Sequence, residues 1–156
     1  MSIKIRDYRA DDSNEIADLF HGSVHSFRAE NYSAKELEAW APTPPDYSHW
    51  RERLAVKLPF VAERDGMIVG FIELEEDGHI DCFYVHKDFQ RQGVGRALYV
   101  HLLKNADARR IRDLYVEASA IARPFFERVG FRFERINRLE RRGQILTNFS
   151  MSLHRV

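Results

Sequence analysis

Residues 89–98 of the chain read FQRQGVGRAL. The run before them, HIDCFYVH at 79–86, is apolar and strand-like; within and after them Val94, Leu98 and Leu102 stand at helical spacing. A helix opening here exposes unpaired N–H groups at the positive end of its dipole. Gly93 and Gly95 let that backbone approach an anion without a Cβ in the way. Arg91 and Arg96 add charge-assisted donors. The stretch reads as an anion grip, against the plainer alternative of a tight strand-to-helix turn with no ligand. Two familiar phosphate loops do not fit. The third glycine of a dinucleotide fingerprint is Leu98 here, and the closing Lys-Ser/Thr of a Walker A loop is absent.

Outward from this junction the pattern is regular. PFVAER, MIVGFIELE and HIDCFYVH are separated by Asp65-Gly66 and Asp77-Gly78, pairs that favour tight turns. The three runs predict an antiparallel meander. IKIRDY at 3–8 alternates as an edge-type strand. Asp12-Ser-Asn-Glu15 and Ser33-Ala-Lys-Glu36 are capping-box patterns, each opening a helix. The prolines of APTPPDY at 41–47 end the second helix, and SHWRERLAV carries a further short one. Downstream, LYVEAS at 114–119 reads as a strand and IARPFFERVG as a short helix ending at Gly130. FRFERINRLE and QILTNFSMSL, joined through Arg141-Arg142-Gly143, form a closing strand pair whose edge suits homodimer pairing.

Composition bounds the classes. At 156 residues, 44% apolar and 31% charged, the chain suits one globular domain spanning 1–156. It has no apolar run of membrane-spanning length and no secretory h-region, so no membrane partner and a cytoplasmic setting are expected. The single cysteine, Cys82, excludes an intrachain disulfide and a CxxC knuckle. The net charge of zero hides a split: residues 1–86 hold 9 Lys and Arg against 17 Asp and Glu, and residues 87–156 hold 15 against 7. Either the halves neutralise one another across the fold, or a basic side takes an anionic cofactor and an acidic side draws a cationic substrate. The basic runs RRIRD and RINRLERRG are interrupted by acidic or apolar residues, so no nucleic-acid partner is expected.

Gln90-Arg91-Gln92-Gly93-Val94-Gly95 resembles the Q/R-x-x-G-x-G/A signature of the GCN5-related N-acetyltransferases, the GNAT family. HIDCFYVHKDF before it and ARPFFERVGF after it fit the same family over nearly the whole chain, and Tyr32-Ser33, Ala39-Trp40 and Leu146-Thr147-Asn148-Phe149 resemble its bacterial YafP-like branch. The resemblance implies an α/β fold with a central, mostly antiparallel sheet, splayed parallel strands and flanking helices. It implies a coenzyme A thioester, acetyl-CoA, as donor. The amides of Gln92, Gly93, Val94, Gly95 and Arg96 would hold the pyrophosphate, with Gln90 and Arg91 leading into them. Phe83, Tyr84 and Val85 would pair with the pantetheine arm, and Ser119 and Phe126 would flank the cofactor. The strands carrying Val85 and Val116 would part to admit the thioester, polarised there by backbone N–H groups. A primary amine of a small molecule or peptide is the implied acceptor; a non-catalytic acyl-CoA sensor is the alternative.

Acetyl transfer needs a neutral amine. At pKa ~10.4 an alkylamine is neutral about once in 10³ molecules at pH 7. Asp81 is the first candidate base, an ionisable group on an apolar strand, four residues before Val85 and by strand parity on its face. Pairing with an arginine is its structural alternative. His79 has the same parity and is second; Glu73 is third. The family's usual general acid is a tyrosine four residues before the glycine of a Gly-Phe pair; Phe126 occupies that position. Ser119, Tyr115 and Tyr84 are its substitutes. An acyl-cysteine at Cys82, with His79 or His86 as base, is disfavoured because a lone cysteine on a buried strand usually serves as a small apolar residue, and its parity also opposes Asp81. His21 and His25 stand one turn apart but lack a third ligand, so no metal is expected. The family's first two helices wall the acceptor pocket, which places His25, Tyr32 and Trp40 there.

Overall fold

The computed structural model describes residues 2–156. In chain order the elements are β1 (Lys4–Asp7), α1 (Ser13–His25), α2 (Ala34–Trp40), α3 (Tyr47–Lys57), β2 (Phe60–Arg64), β3 (Met67–Leu74) and β4 (His79–Val85). They continue with α4 (Val94–Ala108), β5 (Asp113–Ala118), α5 (Arg123–Arg128), β6 (Arg132–Arg141) and β7 (Gln144–His154). The seven strands make one sheet in the order β1-β2-β3-β4-β5-β7-β6. Every neighbouring pair is antiparallel except β4 and β5.

Two apolar layers sandwich the sheet. α4 lays Val94, Leu98, Leu102 and Ala106 on Val69, Ile72, Ile80 and Val116. On the other face α1 and α3 bring Ile16, Leu19, Trp50 and Leu54 onto Val61, Ile68 and Phe71. Each such side chain contributes roughly 1.5–3 kcal/mol when fully buried. β3 is covered on both faces, which is why its sequence is a near-continuous apolar run rather than an alternation. Gly70 lets α4 sit down on that strand. A Cβ there would stand 2.8 Å from Val94 Cγ1 and 2.9 Å from Leu98 Cδ1.

The two capping-box patterns part company. Ser33 and Glu36 make both reciprocal bonds, 3.1 and 2.8 Å. Asp12 and Glu15 do not cap α1. Asp12 instead takes Arg6 at 2.8 and 2.9 Å and the Arg9 N–H at 2.8 Å, and Glu15 accepts the Ile68 N–H at 2.8 Å. Both carboxylates serve contacts to β1 and β3, where charged or cross-element bonds outweigh a local cap.

Two register features shape the site. Gly70↔Val85, Phe71↔Tyr84 and Ile72↔Phe83 pair in one register and Leu74↔Ile80 in another, so Asp81 and Cys82 together oppose Glu73. This is a β-bulge, and it reverses strand parity. Ile80 joins Phe83 and Val85 on the α4 face, while Cys82 and Tyr84 lie with α1 and α3. Asp81 therefore does not share a face with Val85, contrary to simple alternation. The second feature is the parallel pair. β4 meets β5 only at His79↔Tyr115 and Ile80↔Val116, whereas β5 pairs with β7 as far as Ala118↔Phe149. Beyond Ile80 the strands separate.

Gly70→Ala is expected to cost about 1–3 kcal/mol by forcing α4 off β3. Urea denaturation measures it; an unchanged midpoint would show that the helix does not rest on that glycine.

Candidate active site

The gap between β4 and β5 opens into a cleft of about 1710 Å³. That exceeds the usual volume of a single small-ligand site, roughly 300–1,000 Å³, and leaves room for two reactants. One end is bordered by the residues that open α4. Arg91 and Gly93 adopt left-handed φ of 60 and 85°, turning the chain so that α4 begins at Val94. The first intrahelical bond is Ala97 N–H to Gly93 O, so the preceding amides are free of helical partners. Gly95, unlike Gly93, has no left-handed φ. A Cβ there would stand in ordinary contact with the Phe83 ring, 3.4 Å away at the cleft wall, so a larger side chain would extend into the cleft. Gln90, Arg91, Gly93, Val94, Gly95 and Arg96 all border the cleft. The side chain of Gln92 does not. Its Oε1 accepts from Arg64 Nη1 at 2.7 Å, outside the cleft. Gln90 Nε2 donates to Val85 O at 2.8 Å, locking the loop to the end of β4.

The three candidate bases lie on one face of β3 and β4, and each is already engaged. Asp81 borders the cleft and accepts from Lys57 Nζ at 2.8 Å and Arg53 Nη2 at 3.2 Å. Burial alone would raise its pKa, but the Lys57 hydrogen bond and the two cations hold the carboxyl below its ordinary value. Glu73 is fully buried. Its Oε1 takes Arg53 Nη2 at 2.5 Å and the Cys82 N–H at 3.0 Å, while Oε2 has no hydrogen-bond partner among the described residues. Burial raises its pKa against the pull of Arg53. His79 is set between Glu75 at 2.5 Å and Glu117 at 2.6 Å, and its ring stacks on Tyr115. Burial alone would lower its pKa; the hydrogen bonds to the two carboxylates outweigh this and raise it. A carboxylate at each ring nitrogen favours the charged form of the ring and makes it a poor candidate base.

Because of the bulge, Cys82 is not turned away from Asp81. Both reach Arg53, whose Nη2 lies 3.0 Å from Cys82 Sγ. Burial first, then Glu73, push the thiol well above its ordinary pKa, which leaves it a poor nucleophile. His86 is occupied in accepting the Asp88 N–H at 3.0 Å.

Phe126 is buried at the cleft wall, edge-on to Phe83 and Phe131 at 5.9 and 5.0 Å. Ser119 Oγ accepts the Ala122 N–H ahead of α5, Tyr84 is bonded to Trp40 Nε1, and Tyr115 points at Asp77 outside the cleft.

Tyr32 and Trp40 line the opposite wall with Phe20, Phe27 and Tyr84. His25 does not. It stacks on His21 at 4.2 Å, and its Nε2 lies 2.8 Å from Ala41 O. His21 Nε2 is 2.7 Å from Thr43 Oγ1, so both rings tie α1 to the segment after α2. The β6–β7 hairpin closes the cleft with Leu139, Arg141 and Asn148, and Arg142 anchors it by donating to Ala39 O at 2.6 Å.

Three residues went unnoticed in the sequence. Arg53 and Lys57 fall at helical spacing from Trp50, on its buried stripe, and that offset marked them as inward-facing. Ser23 sits on the apolar stripe of α1 with Ile16 and Leu19; it borders the cleft, 1% exposed, and its Oγ has no partner among the described residues. The charge split resolves locally. Arg6–Asp12, Arg6–Glu63, Arg53–Glu73 and Lys57–Asp81 pair within the first half, Arg155–Asp107 and His154–Asp113 within the second, and His79–Glu117 crosses. The halves do not chiefly neutralise one another.

Residues 28–153 match the family described as Acetyltransferase (GNAT) domain. The chain is 37% identical over 150 residues to a protein of Escherichia coli K12 described as "Uncharacterized N-acetyltransferase YafP", covering 96% of this chain and 95% of that one. It superposes on a GCN5-related N-acetyltransferase of Rhodopseudomonas palustris with TM-score 0.92 and 33% identity, covering 99% and 96%. A PaiA N-acetyltransferase of Thermoplasma acidophilum, solved in complex with coenzyme A, shares the fold at TM-score 0.77 and 19% identity, covering 99% of each chain.

His79 carries a raised pKa in the folded state, so its contribution to stability is full below its ordinary value of 6.5 and fades as pH rises through the folded value. The stability gap between the native protein and His79→Gln should therefore be widest near pH 5.5 and narrow toward pH 9, about these limits. Chemical denaturation at both ends checks this; a gap that grows with pH would show that the ring is buried neutral.

Proposed function

Since this chain belongs to the GNAT acetyltransferase family, we propose that it transfers an acetyl group from acetyl-CoA to a primary amine of a small molecule or peptide by direct attack in a ternary complex. The observation that carries this reading is the parallel pair that stops after two rungs, with the free amides of α4 at the mouth of the resulting gap. A pyrophosphate fits that helix end, where dipole and N–H groups act together. An extended pantetheine arm fits the β4 edge at Phe83–Val85, adding itself as a strand.

The two walls divide the work. Arg91, Arg96 and Arg128 border the cofactor side and match phosphate charge. The opposite wall is aromatic and neutral, built from Phe20, Phe27, Tyr32 and Trp40 with Ser23 and Asn31. It suits the apolar body of an acceptor, and Asp81, held ionised, receives its ammonium end. The acceptor nitrogen, once neutral, attacks the thioester carbonyl carbon; a C–N bond forms, the C–S bond breaks, and the nitrogen proton leaves to solvent.

Asp81 is too weak a base to take that proton, because Lys57 and Arg53 stabilise its charged form. Deprotonation of an alkylamine then falls to solvent. With phenethylamine as acceptor, kcat/KM should climb with slope near one between about pH 6 and pH 9. A plateau near pH 7 would reveal a base with a tuned pKa and overturn the role given to Asp81.

Binding is tested separately. Gly95→Val places methyl groups in the channel, where the nearest neighbours are side-chain atoms of Phe83 and Val85. Calorimetry should show acetyl-CoA binding to the native protein and roughly tenfold or weaker affinity for the variant, with little change in thermal midpoint. Equal affinity would remove the loop from the site.

A further inference from the structure

One side chain from outside the sheet crosses the mouth of the gap. Tyr32 follows Asn31, whose φ of 82° turns the chain back toward the cleft, and precedes Ser33, the cap of α2. Its ring rests on Trp40 at 5.4 Å, and Trp40 Nε1 donates to the Tyr84 hydroxyl of β4 at 3.2 Å. Its own hydroxyl lies near the backbone of Ala120, two residues beyond the end of β5. Tyr32 thus spans from the β4 side to the β5 side where the two strands have parted.

The other cleft hydroxyls do not serve as acids. Burial holds the Tyr84 phenol far above its ordinary pKa, Ser119 Oγ accepts the Ala122 N–H ahead of α5, and Ser26 donates to Ser23 O at 2.6 Å. Ser23 and Thr147 remain, but an aliphatic hydroxyl is a far weaker acid than a phenol. At α5, where the family resemblance calls for a tyrosine, Phe126 has no proton to give. Burial raises the Tyr32 phenol above its ordinary pKa and the Ala120 backbone N–H works against that rise. Its hydroxyl is an O–H donor on a side chain that borders the cleft.

We propose that Tyr32, reaching in from the segment before α2, is the catalytic acid that protonates the departing coenzyme A thiolate. The proposal rests on the acetyltransferase reading above. As the C–S bond breaks, the sulfur takes the electron pair and then the Tyr32 proton, giving the free thiol. The phenolate recovers a proton from solvent, which has gained the one lost by the acceptor nitrogen. The acid has moved from the helix after β5 to the loop before α2, on the other wall of the same gap.

The test compares the native protein with Tyr32→Phe, which keeps the ring and its packing on Trp40. Calorimetry should give acetyl-CoA affinities within about threefold of each other, since the phenol is not a binding anchor. The ultraviolet absorbance of the thiolate, titrated with coenzyme A bound, should show the bound sulfur ionising about one pH unit lower in the native protein than in the variant. On the fastest of phenethylamine, spermidine and a lysine-containing peptide, thiol release should fall roughly 10²-fold in the variant. Replacing acetyl-CoA by an acetyl thioester of a more acidic thiol should shrink that loss. Bound coenzyme A that titrates identically in the two proteins, or turnover that is equal, overturns the role of Tyr32 while leaving the acetyltransferase reading intact. Failure of the native protein to bind acetyl-CoA overturns both.

Discussion

The cleft exists because β5 is shared unequally between its neighbours. It pairs with β7 at six positions and with β4 at two. β4 in turn is held along its far edge by β3, out to Gly70↔Val85. Neither strand can swing back without giving up its other ladder, so the parallel pair stays open past Ile80. An open edge exposes unpaired backbone groups, an unfavourable arrangement in a closed core. Here the edge faces the cleft instead. The loop before α4, the aromatic wall and the placement of Tyr32 all depend on this separation, because each borders the same space.

A second dependence runs through Arg53. One guanidinium nitrogen meets Glu73, Asp81 and Cys82, joining α3 to the bulged stretch of β4. A fully buried carboxylate such as Glu73 costs several kcal/mol if left unpaired. Its bonds to Arg53 and to the Cys82 N–H offset that cost and pin the bulge in place. The bulge brings Asp81 to the cleft beside two cations, so the same feature that makes the carboxylate visible to an acceptor also weakens it as a base. On the other side of Asp81, His79 bridges Glu75 to Glu117 across the two parallel rungs. The polar network and the strand pairing therefore reinforce one another.

Charge in this protein is arranged by wall rather than by half. Most ion pairs close over short distances inside each half of the chain, and what remains at the cleft is cationic on the α4 and α5 side and neutral on the α1 and α2 side. A phosphate-rich donor and an apolar acceptor body would be sorted by these surfaces before any chemistry begins.

The elements were legible in the sequence wherever a local signal decided them. Asp65-Gly66 and Asp77-Gly78 set the meander, Ser33 and Glu36 set a helix start, and Gly93 with its neighbours set the strand-to-helix junction. These depend on backbone preferences within a few residues, which composition and spacing carry directly. The site was legible only in part. Alternation along β4 placed Asp81 with Val85 and against Cys82, and one inserted residue in the ladder reversed both. No single-strand pattern shows a bulge, because it is a relation between two strands. In the same way, whether Asp12 caps a helix or binds Arg6, whether Gln92 faces the cleft or Arg64, and where the Tyr32 hydroxyl ends were settled by partners 6 to 88 residues away. Short-range preference determined which elements form; competition among distant hydrogen-bond and packing partners decided which side chains meet.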